Sequence, residues 1–489
     1  MSATDLIARL DVLEAASRPL DPGPDERAHL LAAAGRLAES FNEGLVTAPA
    51  YRRTDDDARE LLRHPIAETP HDLDTVLGLI DRNIHRLGVN CAHGGMMGYI
   101  PGGPLYHSAL ADFLAANANA FTAHSHSSPG AVRMENQLLR WMADMVGLPD
   151  MAAGNLTSGG SMASLAAFVA AREAAGIKAR DVERSVVYLT DEVHHAVPKG
   201  LKIAGLAECI QRPVPVDQRW RMVPERLGEL IAADRAAGLR PWMVIANAGA
   251  TNSGMVDPLS SIGAIANREK LWFHVDAAYG GFFLLCDEGR RKLAGIELAD
   301  SVVLDPHKSL FVPFGTGAVL VREARHLHDA FGFHGHYAQD ALARIHEPSP
   351  VEMSPELSRP FRGLRMWMPL MLCGVAPFRA AVEEKLLLAR YAWARLAGVS
   401  EIEMGPEPDL SVVVFRWRPP SVDDEPAIDA CNARLIEALQ QDGRTLLSST
   451  KLDGRFVLRM VPLSNRTHRV EVDRAVAAVV ECGRGMAIR

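Results

Sequence analysis

From about residue 91 to about residue 370 the chain alternates short, almost uniformly apolar runs with helical stretches, and few folds accept that pattern. The runs "SVVYLT" (185–190), "WMVIANA" (242–248), "LWFHVD" (271–276), "SVVLD" (301–305) and "GAVLV" (317–321) read as strands apolar on both faces. Such strands must be covered on both faces, so the sheet needs a layer on either side. Helical stretches between them, such as "SMASLAAFVAAREAAG" and "VPERLGELIAADRAAG", supply the layers. The expected architecture is a large, mainly parallel α/β domain over residues 91–370. Residues 1–90 read as a helical segment broken by "RPLDPGPDE" and "TAPAYRRTDDDARE". Residues 371–489 restart with "DLSVVVFRWRPP", a helix over "AIDACNARLIEALQQDG", the run "RFVLRMVPL" and a last helix, which is a small α+β domain.

Charge and composition narrow the function classes. The 489 residues carry 52 Lys and Arg against 60 Asp and Glu, a formal charge of −8, and no basic stripe interrupts the balance. A nucleic-acid partner is not expected. The amphipathic start "MSATDLIARLDVLEAA" has no signal-peptide core, and apolar stretches such as "MWMPLMLCGVAPF" are too short to span a bilayer. Six cysteines, at 91, 209, 286, 373, 431 and 482, form no C-x-x-C pair and fit a cytoplasmic protein with free thiols. Histidines come in i, i+2 pairs (124 and 126, 326 and 328, 334 and 336) without thiolate or carboxylate ligands at metal spacing, so no metal is expected.

Four places carry chemistry. In "GNLTSGGSMASL" Gly159, Gly160 and Ser161 lie between an apparent turn and a helix start. Glycines let a backbone approach an anion, and a helix N-terminus offers free N–H groups. The same stretch is one residue away from the G-x-S-x-G nucleophile elbow, with Ala163 in the last position, so a phosphate cradle and a serine nucleophile both stand. Asp276 ends the run "LWFHVD" and is followed by Ala277 and Ala278, which leave room for something flat. His194 and His195 follow the strand "SVVYL", where a histidine can stack on a ring or act as acid or base. Lys308 sits between two apolar strands, where an amine must be paired, neutral or reaching for water. A neutral amine is suited to a Schiff base. Pyridoxal phosphate uses all four parts: a phosphate cradle, a ring-stacking His, an Asp at the pyridine nitrogen and a Schiff-base Lys.

With these motifs in hand, the sequence resembles the group II pyridoxal phosphate-dependent decarboxylases, the family of aromatic-L-amino-acid decarboxylase. "TDEVHH", "HVDAAYGG", "DPHKSL" and "FRGLRMW" occur in family order, and the likeness covers roughly residues 75–370. The resemblance implies a type I aminotransferase-like fold, Lys308 as the Schiff-base lysine, and an amino-acid decarboxylase acting through an external aldimine in which the substrate amine displaces Lys308. It implies that His307 neighbours the lysine, that Asp276 pairs with the pyridine nitrogen and that Ala278 and His194 flank the ring. Gly160 and Ser161, next to Gly159, would hold the phosphate. It also implies a homodimer with the site at the interface and the N-terminal helices wrapped around the partner.

Three departures from the family pattern shape the expectations. Many relatives have Asn two residues before the His of the His-Lys pair; this chain has Asp305, to which no phosphate contact is assigned. Tyr99 is retained in the substrate-side segment, but His124 and His126 stand where aromatic-specific relatives have bulky rings, so a polar or non-aromatic substrate is expected. The stretch "AQDALARIHEPSPVEMSPELSRPF" lacks the loop tyrosine that protonates the substrate carbon in decarboxylating relatives. Either His346 donates that proton or the outcome is oxidative, giving aldehyde and ammonia. From a different class, a serine hydrolase would need Ser161 with Asp276 and His307.

Overall fold

The computed structural model describes residues 1–54, 58–332, 348–420 and 422–486. They fall into two compact units, Met1–Asn90 and Cys91–Arg489. The first holds the helices Ala3–Ser17 and Pro24–Gly44, further short helical turns, and a two-stranded ladder of β1 (Tyr51–Arg52) and β2 (Gly88–Val89). Ser2 caps the first helix, its hydroxyl accepting from the Asp5 N–H while the Asp5 carboxylate accepts from the Ser2 N–H.

The second unit is built on a seven-stranded sheet of β3 (Ala153–Thr157), β4 (Ser185–Leu189), β5 (Ile210–Pro213), β6 (Arg240–Asn247), β7 (Trp272–Asp276), β8 (Ser301–Leu304) and β9 (Gly317–Val321). Their order across the sheet is β3-β9-β8-β7-β6-β4-β5. Every pair is parallel except those made by β9, which runs against both β3 and β8. Consequently β3, β8, β7, β6 and β4 all end at one edge. The apparent turn before Gly159 is in fact β3, whose Gly154 and Asn155 hid a strand in a polar-looking stretch.

Burial on both faces follows from the alternation of side chains along each strand. Val302, Leu304, Ala318 and Leu320 enter one core, whereas Val303, Val319 and Val321 face the other. There they meet Ala163, Ala166, Ala167 and Ala170 of the helix Gly160–Ala174. Alanines at that spacing let the helix lie close on the sheet, which fixes its N-terminus at the edge where β3 ends.

A second sheet in the same unit, entirely antiparallel, has the order β10-β11-β13-β12, with β10 at Ile402–Met404, β11 at Val413–Trp417, β12 at Ser448–Leu452 and β13 at Arg455–Met460. Phe415, Trp417 and Leu458 pack there against Leu435 and Val472 of the flanking helices. Among the described residues no helix is long and apolar enough to cross a membrane.

Candidate active site

At the edge where β3, β4, β7 and β8 end, a cavity of about 320 Å³ is lined by Gly159, Gly160, Ser161, His194, Asp276, Ala278, Asp305, His307 and Lys308, among others. The structure therefore brings together each of the four sequence signals. Gly159 has φ 151° and ψ 174°, a conformation open essentially to glycine alone. It turns the chain from β3 into the helix Gly160–Ala174. Its carbonyl accepts from the N–H groups of Met162 and Ala163, so those of Gly160 and Ser161 are left free of the helix. A Cβ on Gly160 would lie 2.8 Å from Asp305 Oδ2, and one on Gly317 would lie 2.5 Å from the Gly159 backbone. The two glycines thus keep open a hollow that any side chain would fill, beside backbone N–H groups of the kind that suit a phosphate.

Lys308 lies in the short helical turn Pro306–Ser309, held by the Ser309 hydroxyl donating to the Tyr279 carbonyl at 2.7 Å. Its amine is neither neutralised by isolation nor wholly in water: Nζ is 3.0 Å from Asp305 Oδ2. Asp305, read from sequence without a partner, is that partner. It is 2% exposed and its Oδ1 is buried without a hydrogen bond. His307 donates from Nδ1 to the Thr316 carbonyl at 2.6 Å, and its Nε2 is 3.7 Å from Asp305 Oδ2. Burial holds the His307 imidazole below its ordinary pKa, with Asp305 opposing.

His194 accepts at Nδ1 from the Ala196 N–H at 3.2 Å, which leaves Nε2 as the protonated nitrogen of a neutral ring. Burial, then the His195 ring with its centroid 4.0 Å away, lowers its pKa. Asp276 accepts from the Ala278 N–H at 3.1 Å. Near His194 the Glu192 carboxyl, with Oε2 unpartnered, is pushed up to about 7 by burial.

An adjoining cavity of about 520 Å³ shares His194 and Lys308 and adds Tyr99, Ile100, Asn252 and Arg459. Tyr99 adopts φ 54°, uncommon for a bulky residue. Arg459 was not legible as a site residue. It is buried and donates to the carbonyls of Asn252 (2.8 Å) and Thr251 and to the Ser448 hydroxyl (2.9 Å). It has no carboxylate partner among the described residues, and burial lowers it to about 10. The clue lay in "RFVLRMVPL", where a cation interrupts a buried strand.

Two expectations meet the structure here. His124 packs near Phe121 and His126 is exposed, and neither lines either cavity of its own chain. Within this chain the residues around Lys308 come from strand ends, and the two histidines give the expectation of a polar substrate no support there. The Ser161 hydrolase arrangement is not formed: His307 points its rings' nitrogens at Thr316 and Asp305, and Ser161 has no histidine partner among the described residues. His346, His334 and His336 lie outside the described residues.

A family model described as the pyridoxal-dependent decarboxylase conserved domain matches residues 56–418. The chain belongs to this family. It is 34% identical over 430 residues to an aromatic-L-amino-acid decarboxylase of Bacillus atrophaeus, covering 88% of this chain and 89% of the relative. It is 29% identical to a phenylacetaldehyde synthase of Arabidopsis thaliana, covering 84% of this chain and 86% of that one. Among solved structures, a crystal structure of Oryza sativa TDC with PLP and tryptamine superposes with a TM-score of 0.89 at 26% identity, covering 95% of this chain and 99% of that chain. The protein is thus a pyridoxal phosphate-dependent lyase of the amino-acid decarboxylase family with the type I fold.

Proposed function

We propose that this enzyme removes the α-carboxylate of an aromatic L-amino acid and returns the amine. The observation that carries the reading is the convergence of Lys308, Asp276, His194 and the Gly159–Ser161 hollow on one cavity. Relatives named for aromatic substrates favour the aromatic side chain over the polar one. Lys308 would hold the cofactor's aldehyde, and Gly159, Gly160 and Ser161 its phosphate. Asp276 would face its ring nitrogen, with Ala278 and His194 against the ring. Pyridoxal phosphate, when bound, supplies an electron sink for the pair left as CO₂ departs. The Asp276 carboxylate at the strand end would keep the ring nitrogen protonated, so that the ring can accept that electron pair. Arg459, a buried cation without a carboxylate of its own, offers a partner for a substrate carboxylate in the adjoining cavity. Tyr99 walls that cavity, and Lys308 moves the proton at the reacting carbon.

The chain is further proposed to be a cytoplasmic homodimer in which residues 371–489 act as a small domain bringing Arg459 to the site. In support, all six cysteines are unpaired, and the helix Ala3–Ser17 buries no residue while exposing Leu6, Ile7, Leu10 and Leu13. A second outcome, aldehyde with ammonia, is favoured by the absence of tyrosine between Tyr337 and Phe361 and by the likeness to an aldehyde synthase. Product analysis decides: purified protein with pyridoxal phosphate is offered aromatic and polar L-amino acids, and CO₂, amine, aldehyde and ammonia are quantified. CO₂ with stoichiometric amine from an aromatic substrate is expected. Turnover confined to polar amino acids would overturn the substrate reading, and aldehyde with ammonia would establish the second outcome.

A further inference from the structure

Asp305 is the least satisfied polar group of the site. Its Oδ1 has no hydrogen-bond partner among the described residues, and its Oδ2 relies on the Lys308 ammonium at 3.0 Å. The carboxyl is also wedged. Added Cβ atoms on Gly160 and Gly317 would lie 2.8 Å from Oδ2 and Oδ1 respectively, so both oxygens lie against glycine backbone behind the hollow. Among the described residues no other cation stands ready to replace Lys308. Arg365, behind Thr316, donates to Asp112 at 2.7 Å and to the Phe314 carbonyl at 2.9 Å. His194 and His307 are the remaining basic groups of the cavity, and Asp276 adds a second carboxylate.

The inference rests on the assignment of Lys308 as the residue that joins the cofactor. When its amine condenses with the aldehyde, a C=N bond forms, the aldehyde oxygen leaves as water, and the ammonium has a proton to give up. Asp305 then loses the cation that justified its charge, in a pocket that also receives a phosphate. A buried carboxylate without a counter-charge is strongly disfavoured. We propose that Asp305 binds a proton and stands in the loaded enzyme as a neutral carboxylic acid, a hydrogen-bond donor at the back of the phosphate hollow. With a neutral link the ammonium and the carboxylate together give the C=N bond, water and the acid; with a link that keeps its own proton the carboxylate takes one from solvent, and either way Asp305 binds one proton that an amide would not. His307 supports this placement: its Nδ1–H is committed to Thr316, so its Nε2 is a lone pair facing Oδ2, and its own basicity is depressed by burial.

The test compares the full-length protein with Asp305→Asn, both freed of cofactor and titrated calorimetrically with pyridoxal phosphate in buffers of different ionisation enthalpy. Asp305→Asn has no site for the proton and is expected to release about one more proton per cofactor than the wild type. Whatever proton the link itself carries is common to both. The wild-type cofactor affinity should accordingly fall about tenfold per pH unit relative to the variant where the two counts differ. Equal proton counts and parallel pH profiles would overturn the proposal. Infrared difference spectra of the wild type alone give a second measurement that needs no variant. Loading should raise a protonated-carboxyl C=O band, and its absence would overturn the idea as well. Borohydride reduction with peptide mapping separates the two readings. A link at Lys308 with equal proton counts sinks only the role of Asp305, whereas no link at Lys308 sinks the assignment of the lysine and this inference together.

Discussion

Two buried acid–base pairs in the same unit serve opposite ends. Glu135 and Arg359 are fully buried, and nearly every polar atom is spoken for: the Glu135 carboxylate accepts from Arg359 and, at 3.0 Å, from the Gly363 N–H. Arg359 also donates to the carbonyls of Leu156 (3.0 Å) and Thr122 (3.4 Å). This pair ties the helix Pro129–Val146, the strand β3 and the segment around residue 360 into one piece. Asp305 and Lys308 form the other pair, with one oxygen orphaned and the lysine still reached by solvent. Each pair leaves one buried atom without a partner among the described residues, Arg359 Nε in the first and Asp305 Oδ1 in the second, but the first is closed to solvent whereas the second opens on a cavity, where a reaction partner belongs.

Substitutions can break or sharpen that contrast. The largest effect is expected from Lys308→Ala, which should cost about ten-thousandfold in turnover, the upper range for a lost acid–base group, and abolish borohydride trapping. Retained trapping would transfer the role to another lysine. Next, Arg359→Met strands the Glu135 carboxylate and should destabilise the protein by about 3–5 kcal/mol, read by urea or thermal unfolding of the loaded enzyme. An unchanged midpoint would mean that the pair is structurally idle. Gly160→Ala puts a methyl group against Asp305 Oδ2 and should weaken cofactor binding by about 1–3 kcal/mol, measured by fluorescence titration.

The smallest effect concerns Glu192. Its folded pKa, raised to about 7 by burial, exceeds the ordinary 4.5, so between these values the folded state binds more protons than the unfolded. Its contribution to stability therefore declines as pH rises through that window. The melting temperature of Glu192→Gln, relative to wild type, should climb from pH 4.5 to 7 and then level off. A flat difference would show that the carboxyl is solvated.

What was legible and what was not divides along chain distance. The runs at β4, β6, β7, β8 and β9 were readable because burial on both faces leaves almost no polar residue inside them, the buried His274 of β7 being an exception. The polar residues that end them, His194, Asp276 and Asp305, therefore stood out. Lys308 was readable for the same reason, but its partner was not, because pairing within one helical turn depends on how Pro306 sets that turn. β3 was missed since Gly154 and Asn155 break the apolar pattern, although Gly154 is small because the Val319 carbonyl lies 2.4 Å from where a Cβ would be. The roles of Arg459, His124 and His126 depend on which distant segments meet, and local pattern carries no such information.

The reversed strand β9 has one further consequence. Because it is inserted between β3 and β8, the lateral order of strand ends is hollow, reversal, lysine and carboxylate, at intervals fixed by backbone hydrogen bonding. From β3 to β7 there are three such steps of about 4.8 Å, roughly 14 Å in all. The sheet therefore acts as a gauge: loops can be lengthened, recoloured or exchanged to select a different side chain. The separation between the anion hollow and Asp276 is a whole number of strand widths and cannot drift by increments.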